Sequence, residues 1–321
     1  ITNTALTRRR IRDTNLTVKA YSVGTQSHTD IAVIYMENKV DKKLLANLDK
    51  RLKAIDVPSL TMNQQSLVEA LYKNLWYNPF PKVKHTERPD TTASAILDGN
   101  IVILVDNAPS ALLLPTSIFD VLEEADDYYF PPVTGTYLKL ARYFITIVTV
   151  LITPLWLLAL QNPDYCPEFF RFVLLDEPQN IPVFWQLILM EVGIDGLRLA
   201  ALNTPNSLTT PLSIIGAIAL SEFAVESGWV SMEAILYMAL VTVANFTQPN
   251  FELGYSFKFC RVLLLVLTYI FNVWGFIIAF IINLVLLCTN RTLSSKSYLY
   301  PLVPFNGKEF LRKILRIRNP R

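Results

Sequence analysis

The sequence predicts an α+β domain followed by an all-α polytopic membrane domain of about five or six apolar helices. The chain is 52% hydrophobic but only 17% charged, whereas ordinary soluble domains are about a quarter charged. Residues 1–130 contain 15 basic and 16 acidic residues, as a soluble domain does. The long apolar runs lie in residues 131–290, and residues 291–321 form a basic tail. This distribution predicts a soluble domain, a membrane domain and a cytoplasmic tail.

The first domain shows strand and helix patterns in turn. Residues 16–24 and 29–37 are rich in β-branched and aromatic residues between turn residues, which predicts two strands. Leucines recur at helical spacing in 40–56, with lysines between them, and 66–76 follows a similar pattern. Residues 99–117 predict two strands around a turn. Mixed helices and strands of this kind are typical of an α+β domain.

Five apolar segments form the predicted membrane domain. They are 138–160, 181–202, 209–225, 229–246 and 259–289. Basic residues flank the first segment on its N-terminal side and dominate the tail, so the positive-inside rule places both on the cytoplasmic face. The number of crossings is then even. Either 259–289, which is about one and a half spans long, is a hairpin broken near Asn272–Gly275, or a shorter segment is re-entrant or interfacial.

No catalytic motif is present in the sequence. We find no GxGxxG, P-loop or HExxH pattern, and neither His28 nor His85 lies in a catalytic spacing. The three cysteines form no CxxC pair, so we expect free thiols and no metal site. The net charge of +2, without a basic run between aromatics, predicts no nucleic-acid partner. We expect a protein that is not an enzyme and binds no cofactor. The opening ITNTALTRRR suggests that the N-terminal region of this domain is missing.

The strongest functional signal is a charged face within 181–202. Glu191, Asp195 and Arg198 are spaced i, i+4, i+7, which places them on one side of a helix. Charges at the bilayer centre cost about 2.5–3.5 kcal/mol each, so this face must contact protein or water. It is either a polar stripe along an ion or solute path, or an internal Asp195–Arg198 pair beside a capped Glu191 on an interfacial helix.

Two further segments carry open alternatives. Glu222 is either a second pore-lining carboxylate or a residue at the headgroup boundary beside Glu226. Residues 244–261 contain Pro and Gly and form a gate element if deep, or an ordinary loop if superficial. Lys258 and Arg261 favour the cytoplasmic surface for this segment. The basic tail follows the topology rule, and could also hold anionic headgroups.

Several stretches together resemble the GerA-type spore germination receptor A subunit family. Residues 85–120 contain HTERPD followed by DGNIVILVDNAP, which looks like the signature region of that family. The membrane stretches that match its order are 181–200, 212–231 and 246–265. The stretches DDYYFPPVTGTYLKLARY (126–143) and YLYPLVPFNGKEF (298–310) look closer to one branch, the stage V sporulation AF proteins.

The resemblance implies a location and a role. Such proteins lie in the inner membrane of bacterial endospores, with the N-terminal domain facing the spore core. The A subunits are thought to form a homo-oligomeric ring that conducts cations when nutrients are sensed by another membrane subunit. The stage V branch is thought to amplify germination with a small membrane partner. Other germination membrane proteins and the lipid bilayer are therefore the expected partners.

Three functions are compatible with these patterns. The first is a monovalent-cation channel subunit, in which Glu191, then Asp195, then Glu222 are the pore-lining candidates, with Arg198 on the same face. The second is a non-conducting scaffold that couples the core-facing domain to other germination membrane proteins. The third is a secondary transporter, which would show an internal repeat; none is evident in the sequence.

Overall fold

The computed structural model describes residues 2–72, 77–175, 179–203, 216, 224–290, 292–293 and 297–316. The chain divides into two compact units. The first is an α/β unit that combines Ile1–Lys139 with Leu286–Arg321, and the second is a helical unit over Leu140–Val285. Residues 286–321 therefore group with the α/β part of the chain. An N-terminal α/β region with a helical region after it agrees with the predicted order.

A five-stranded antiparallel sheet forms the centre of the first unit. Its strands are β1 (Leu16–Val23), β2 (Thr29–Met36), β3 (Lys84–Thr86), β4 (Ile101–Val105) and β5 (Ala111–Leu114). The strand order is β1-β2-β4-β5-β3. In the β2–β4 register Val33 lies opposite Ile103 and Ile34 opposite Val102. The strands predicted in 16–24, 29–37 and 99–117 are confirmed.

Helices cover both faces of this sheet. They are α1 (Thr2–Arg10), α2 (Lys42–Lys53), α3 (Gln64–Leu71), α4 (Pro89–Leu97) and α5 (Ile118–Leu122). Val33 and Ile103 pack with Leu48 of α2, whereas alternate residues such as Val102 pack with Ile96 of α4. Because side chains alternate across a strand, a strand covered on both faces is apolar throughout, which accounts for the sequence IVILV of β4.

The described part of the second unit is helical. Its helices are α6 (Pro132–Gln161), α7 (Val183–Asn203), the single turn α8 (Ala224–Glu226), α9 (Met232–Phe246) and α10 (Phe251–Thr289); α11 (Gly307–Ile314) follows in the first unit. The predicted segment 209–225 lies almost entirely outside the described residues. Two of the described helices, α6 and α10, are long and apolar enough to cross a membrane, so the count of five or six stays a prediction.

Helix α10 is a hairpin of two helices. Asn272 has non-helical torsion angles (φ 53°, ψ −133°). The Asn283 side chain donates a hydrogen bond to the Cys260 carbonyl at 3.1 Å, although a straight helix would separate these residues by about 34 Å at 1.5 Å per residue. The break expected near Asn272–Gly275 is therefore present, and the second half, 273–289, returns along the first, 251–271.

Contacts inside the helical unit fix the direction of its helices. Thr149 of α6 contacts Arg261 of α10, and Asn162, just after the end of α6, contacts Asn272, so α6 runs parallel to the first half of α10. The second half of α10 runs back, and therefore Leu140 and Val285 lie at the same end of the unit. The backbone N–H of Ser231 donates to Gln186 at 2.8 Å, and Arg198 stacks on Phe246. Helices α7 and α9 are therefore parallel.

The helical unit buries several polar side chains beside an apolar cluster and exposes many apolar side chains. Buried polar residues include Thr149, Thr153, Gln186, Ser256 and Thr268. Exposed apolar residues include Phe144, Leu155, Val192, Leu240 and Ile277. So many exposed apolar side chains in one unit are unusual in a soluble domain and suit a unit whose surroundings are lipid.

Candidate functional site

A cluster of four ionised side chains lies inside the helical unit. Glu191 and Asp195 lie one turn apart on α7, and Lys258 and Arg261 lie nearly one turn apart on α10. Residues three or four positions apart share a helix face, so each helix presents one charged patch to the other. The two patches have opposite sign and equal formal charge, so the four side chains neutralise one another.

Glu191 and Arg261 form the buried centre of this cluster. The Nη2 and Nε atoms of Arg261 lie 2.5 Å and 2.7 Å from Glu191 Oε1. The remaining nitrogen, Nη1, donates to the backbone carbonyl of Thr149 on α6 at 3.0 Å. The side chains of Arg261 and Glu191 are 2% and 6% exposed. One guanidinium group therefore connects three helix segments away from solvent.

Lys258 links the two carboxylates. Its Nζ forms an ion pair with Asp195 and lies 3.4 Å from Glu191 Oε2. It also donates to the main-chain carbonyl of Glu191 at 3.3 Å. The Asp195 side chain is 34% exposed, against 10% for Lys258. Asp195 is therefore the carboxylate of the cluster that solvent reaches best.

The second alternative for the charged face required an Asp195–Arg198 ion pair. The structure describes both residues and has no such pair between them. The Arg198 guanidinium carbon lies over three aromatic rings instead: Phe246 at 4.9 Å, Phe251 at 4.3 Å and Tyr255 at 5.3 Å from the centroids. Aromatic faces attract cations through their quadrupole, more strongly when water is excluded. The expected pairing was wrong because Lys258, from another helix, reaches Asp195.

A narrow cleft borders the cluster between α7, α9 and α10. It is lined by Glu191, Asp195, Arg198, Thr242 and Asn245, among others. The space open to a water-sized sphere is about 20 Å³, which is room for about one water molecule. The cleft itself is therefore too small to hold a hydrated ion in this conformation.

Lys258 and Arg261 are the two residues of the cluster that were not predicted to join the charged face of α7. We expected them at the cytoplasmic surface of a segment spanning 244–261. The structure shows helix α10 starting at Phe251, with both side chains buried. The sequence did contain a signal for this pairing. Lys258 and Arg261 form a basic pair at i, i+3 spacing inside an apolar run, which complements the acidic pair at i, i+4 spacing on α7. Glu222, the third pore-lining candidate, lies outside the described residues.

A second buried ion pair lies in the first unit. Lys139 Nζ, on the part of α6 that belongs to this unit, is 2.6 Å from Glu123 Oε1 and 3.0 Å from the Tyr128 hydroxyl. Burial alone raises the pKa of Glu123, but the positive charges of Lys313 and Lys139 outweigh it, so the pKa lies below its ordinary value. This pair ties the start of α6 to the end of α5.

The other candidates for chemistry are dispersed. His28 is exposed, and burial lowers the pKa of His85 in β3. Within the described ranges, no three His, Cys, Asp or Glu side chains are grouped so as to hold a metal ion. Cys166, Cys260 and Cys288 are free thiols. None of these residues contacts the ion-pair cluster in a way that suggests bond-making chemistry.

Comparisons with known proteins point to one family. A family model described as Bacillus/Clostridium GerA spore germination protein matches residues 1–321. The chain is 38% identical over 320 residues to stage V sporulation protein AF of Bacillus subtilis (strain 168), covering 100% of this chain and 64% of that protein. It is 28% identical over 319 residues to spore germination protein A1 of the same strain, covering 98% and 66%.

One solved structure is also similar. It is the crystal structure of the N-terminal domain of the A subunit of the Bacillus megaterium spore germinant receptor GerK3, 32% identical, with a TM-score of 0.28. The match covers 35% of this chain and 87% of that one. The chain spans about three fifths of the length of the curated relatives it matches. The family and the branch expected from the motifs are both confirmed.

Proposed function

Because this chain belongs to the GerA family of spore germination proteins, we propose that it is a membrane subunit of a spore germination complex, and that in an oligomer it conducts monovalent cations to promote or amplify germination. The observation that supports this most is the cluster of four charges in the helical unit. Glu191 and Lys258 lie about 12 Å and 10 Å from the starts of their helices. Ionisable residues at such depth in membrane proteins mark ion pathways by default.

The proposed topology has six crossings. The helix directions leave Leu140 and Val285 at one end of the helical unit, which supports an even number of crossings. The first unit and the basic tail then lie on one side of the membrane. The positive-inside rule assigns that side to the spore core, and the membrane is the inner membrane of the endospore.

The proposed conduction path lies between copies of the chain. The cleft at the cluster admits about one water molecule, which is too narrow for a hydrated ion and favours a path between subunits. A ring closed by head-to-tail interfaces creates a central pore from equivalent faces. Asp195, the most exposed carboxylate of the cluster, is the residue we assign to that path, with Glu191 behind it as its support.

The alternative is a non-conducting scaffold, and one observation favours it. Both carboxylates of the α7 face have cationic partners within the same subunit, so no unpaired negative charge is directed at an ion. In that case the subunit would couple its core-facing unit to other germination membrane proteins, including a small membrane partner. The relatives named as germination proteins support membership of such a complex.

Potassium flux from liposomes separates these two functions. The full-length protein would be reconstituted alone and with its candidate partner, as wild type, Asp195→Asn and Glu233→Gln. Glu233 is the matched control because it is an exposed carboxylate in the first turn of α9. We expect wild type and Glu233→Gln to conduct, and Asp195→Asn to lose flux or cation selectivity.

Two results would change the proposal. If an oligomer that demonstrably assembles shows no flux with or without its partner, the scaffold function replaces the channel. If wild type and Asp195→Asn conduct equally, with the same preference for potassium over chloride, the channel remains but the α7 face is structural.

A further inference from the structure

Helix α11 carries a basic and apolar surface on the side that does not contact the rest of the first unit. Lys308 and Arg312 are one turn apart and exposed, and so are Leu311 (52%) and Leu315 (37%). Arg312 pairs with Glu309 at 2.9 Å yet stays 54% exposed. Such a surface pair contributes little, so the guanidinium is available to another anion.

The opposite side of α11 is fixed to the first unit. Lys313 forms an ion pair with Asp120. The ring of Phe310 meets the ring of Phe119 edge-on, with centroids 6.1 Å apart. These contacts hold the helix in one orientation, so the side chains on its exposed side have fixed positions relative to one another.

This surface lies beside the beginning of the long apolar helix α6. The backbone N–H of Arg316, just after α11, donates to the Thr136 hydroxyl at 3.1 Å. A Cβ added at Gly135 would lie 2.7 Å from Arg316 Cδ, so the two segments touch closely. Val133 and Tyr137, on the same turns of α6, are 83% and 68% exposed.

We propose that this α11 surface, formed by Lys308, Leu311, Arg312 and Leu315 next to Val133 and Tyr137, docks on anionic lipid headgroups of the membrane that α6 enters. The inference rests on the proposed membrane location of the helical unit. The two cations complement anionic phosphates, the leucines suit the acyl boundary, and tyrosines concentrate at headgroup level. Tyr137 directly precedes the apolar segment 138–160 of α6.

Lipid retention by the full-length protein tests the proposal. The protein would be purified in mixed micelles of phosphatidylglycerol and phosphatidylcholine, and the bound lipids counted by native mass spectrometry. The variant is Lys308→Gln with Arg312→Gln. The matched control is Lys42→Gln with Lys43→Gln, which removes two exposed lysines from α2 of the same unit. We expect the α11 variant to lose about fivefold in phosphatidylglycerol preference per charge and the α2 control to keep it.

Two additions keep the test decisive. The charge-preserving variant Lys308→Arg with Arg312→Lys should restore the preference if the fold is intact, and Leu311→Ser should weaken it because an apolar contact is lost. The inference is overturned if the α11 variant retains phosphatidylglycerol as wild type does, or if inorganic phosphate displaces the lipid. A protein that inserts into bilayers without any anionic preference overturns this inference alone, whereas failure to insert overturns the proposed membrane function.

Discussion

Neutralising Glu191 should destabilise the helical unit far more than neutralising Asp195, although the two residues lie one turn apart. Glu191→Gln leaves Arg261 and Lys258 in a site where the Arg261 side chain is only 2% exposed. Removing one partner of a buried ion pair costs roughly 3–5 kcal/mol because an uncompensated charge remains. The lower value applies here, since the glutamine oxygen still accepts a hydrogen bond from Arg261.

Asp195→Asn has a smaller expected cost for a structural reason. The Asp195 side chain is 34% exposed, so in the variant water can solvate much of the Lys258 charge that the carboxylate neutralises. Lys258 also keeps its contacts with Glu191. Pairs that solvent reaches contribute about 1 kcal/mol or less. The difference between the two variants is therefore about 2 kcal/mol or more.

Unfolding of the reconstituted protein by a denaturing detergent, followed by tryptophan fluorescence and circular dichroism, measures this difference. A double variant, Glu191→Gln with Arg261→Gln, should be less destabilised than the sum of the two single variants, since it removes both charges of the pair. The conclusion that this cluster stabilises the packing of α7 against α10 would be refuted by either of two results. One is an equal loss of stability in Glu191→Gln and Asp195→Asn, and the other is a double variant whose loss of stability equals the sum of the two single losses.

Three other perturbations have defined expectations. Thr153→Val and Thr268→Val should leave the helical unit as stable as wild type, or more stable by about 1 kcal/mol, in detergent unfolding. The reason is that both hydroxyls are buried without a hydrogen-bond partner. A clear loss of stability in both variants would contradict that reason. Asn78→Ala should cost the first unit about 1–3 kcal/mol in urea unfolding, because it removes a side-chain amide that donates to the Leu286 carbonyl and accepts from the Phe80 N–H. The pKa of Glu123 lies below its ordinary value although burial alone would raise it. Its carboxylate therefore stabilises the first unit at neutral pH, and this contribution is lost as the pH falls below about 4 through the folded-state pKa. Glu123→Gln should make the stability of the unit less dependent on pH in that acid range, and it leaves Lys139 without its ion-pair partner.

The elements predicted best from sequence were those with strong local patterns. Leucines at helical spacing located α2 to within three residues at each end, and alternating or continuous β-branched runs located β1, β2, β4 and β5. Helix α4 was missed because PDTTASAIL contains small and hydroxyl residues that give a weak helical pattern. Strand β3 has only three residues and becomes a strand through pairing with β5. Local sequence could not identify it.

The candidate site was predicted in part for the same reason. Spacing alone placed Glu191, Asp195 and Arg198 on one helix face, and the two acids do lie together. Their partners are about 65 residues away in sequence and depend on how α10 packs against α7. Arg198 illustrates the limit: its aromatic neighbours come from α9 and α10, and i, i+3 spacing to Asp195 was not enough to pair them.

The α/β unit is discontinuous in the chain, which constrains the order of biosynthesis. Leu293 belongs to the same apolar cluster as strands β2 and β4, and the Tyr298 carbonyl accepts a hydrogen bond from Ile118 at 3.0 Å. A ribosome has therefore made the whole helical unit before it supplies the residues that complete this core. The helical unit is synthesised first, and packing of the α/β part is completed only when the residues after Leu286 emerge. A chain truncated before Leu286 therefore lacks part of its α/β core.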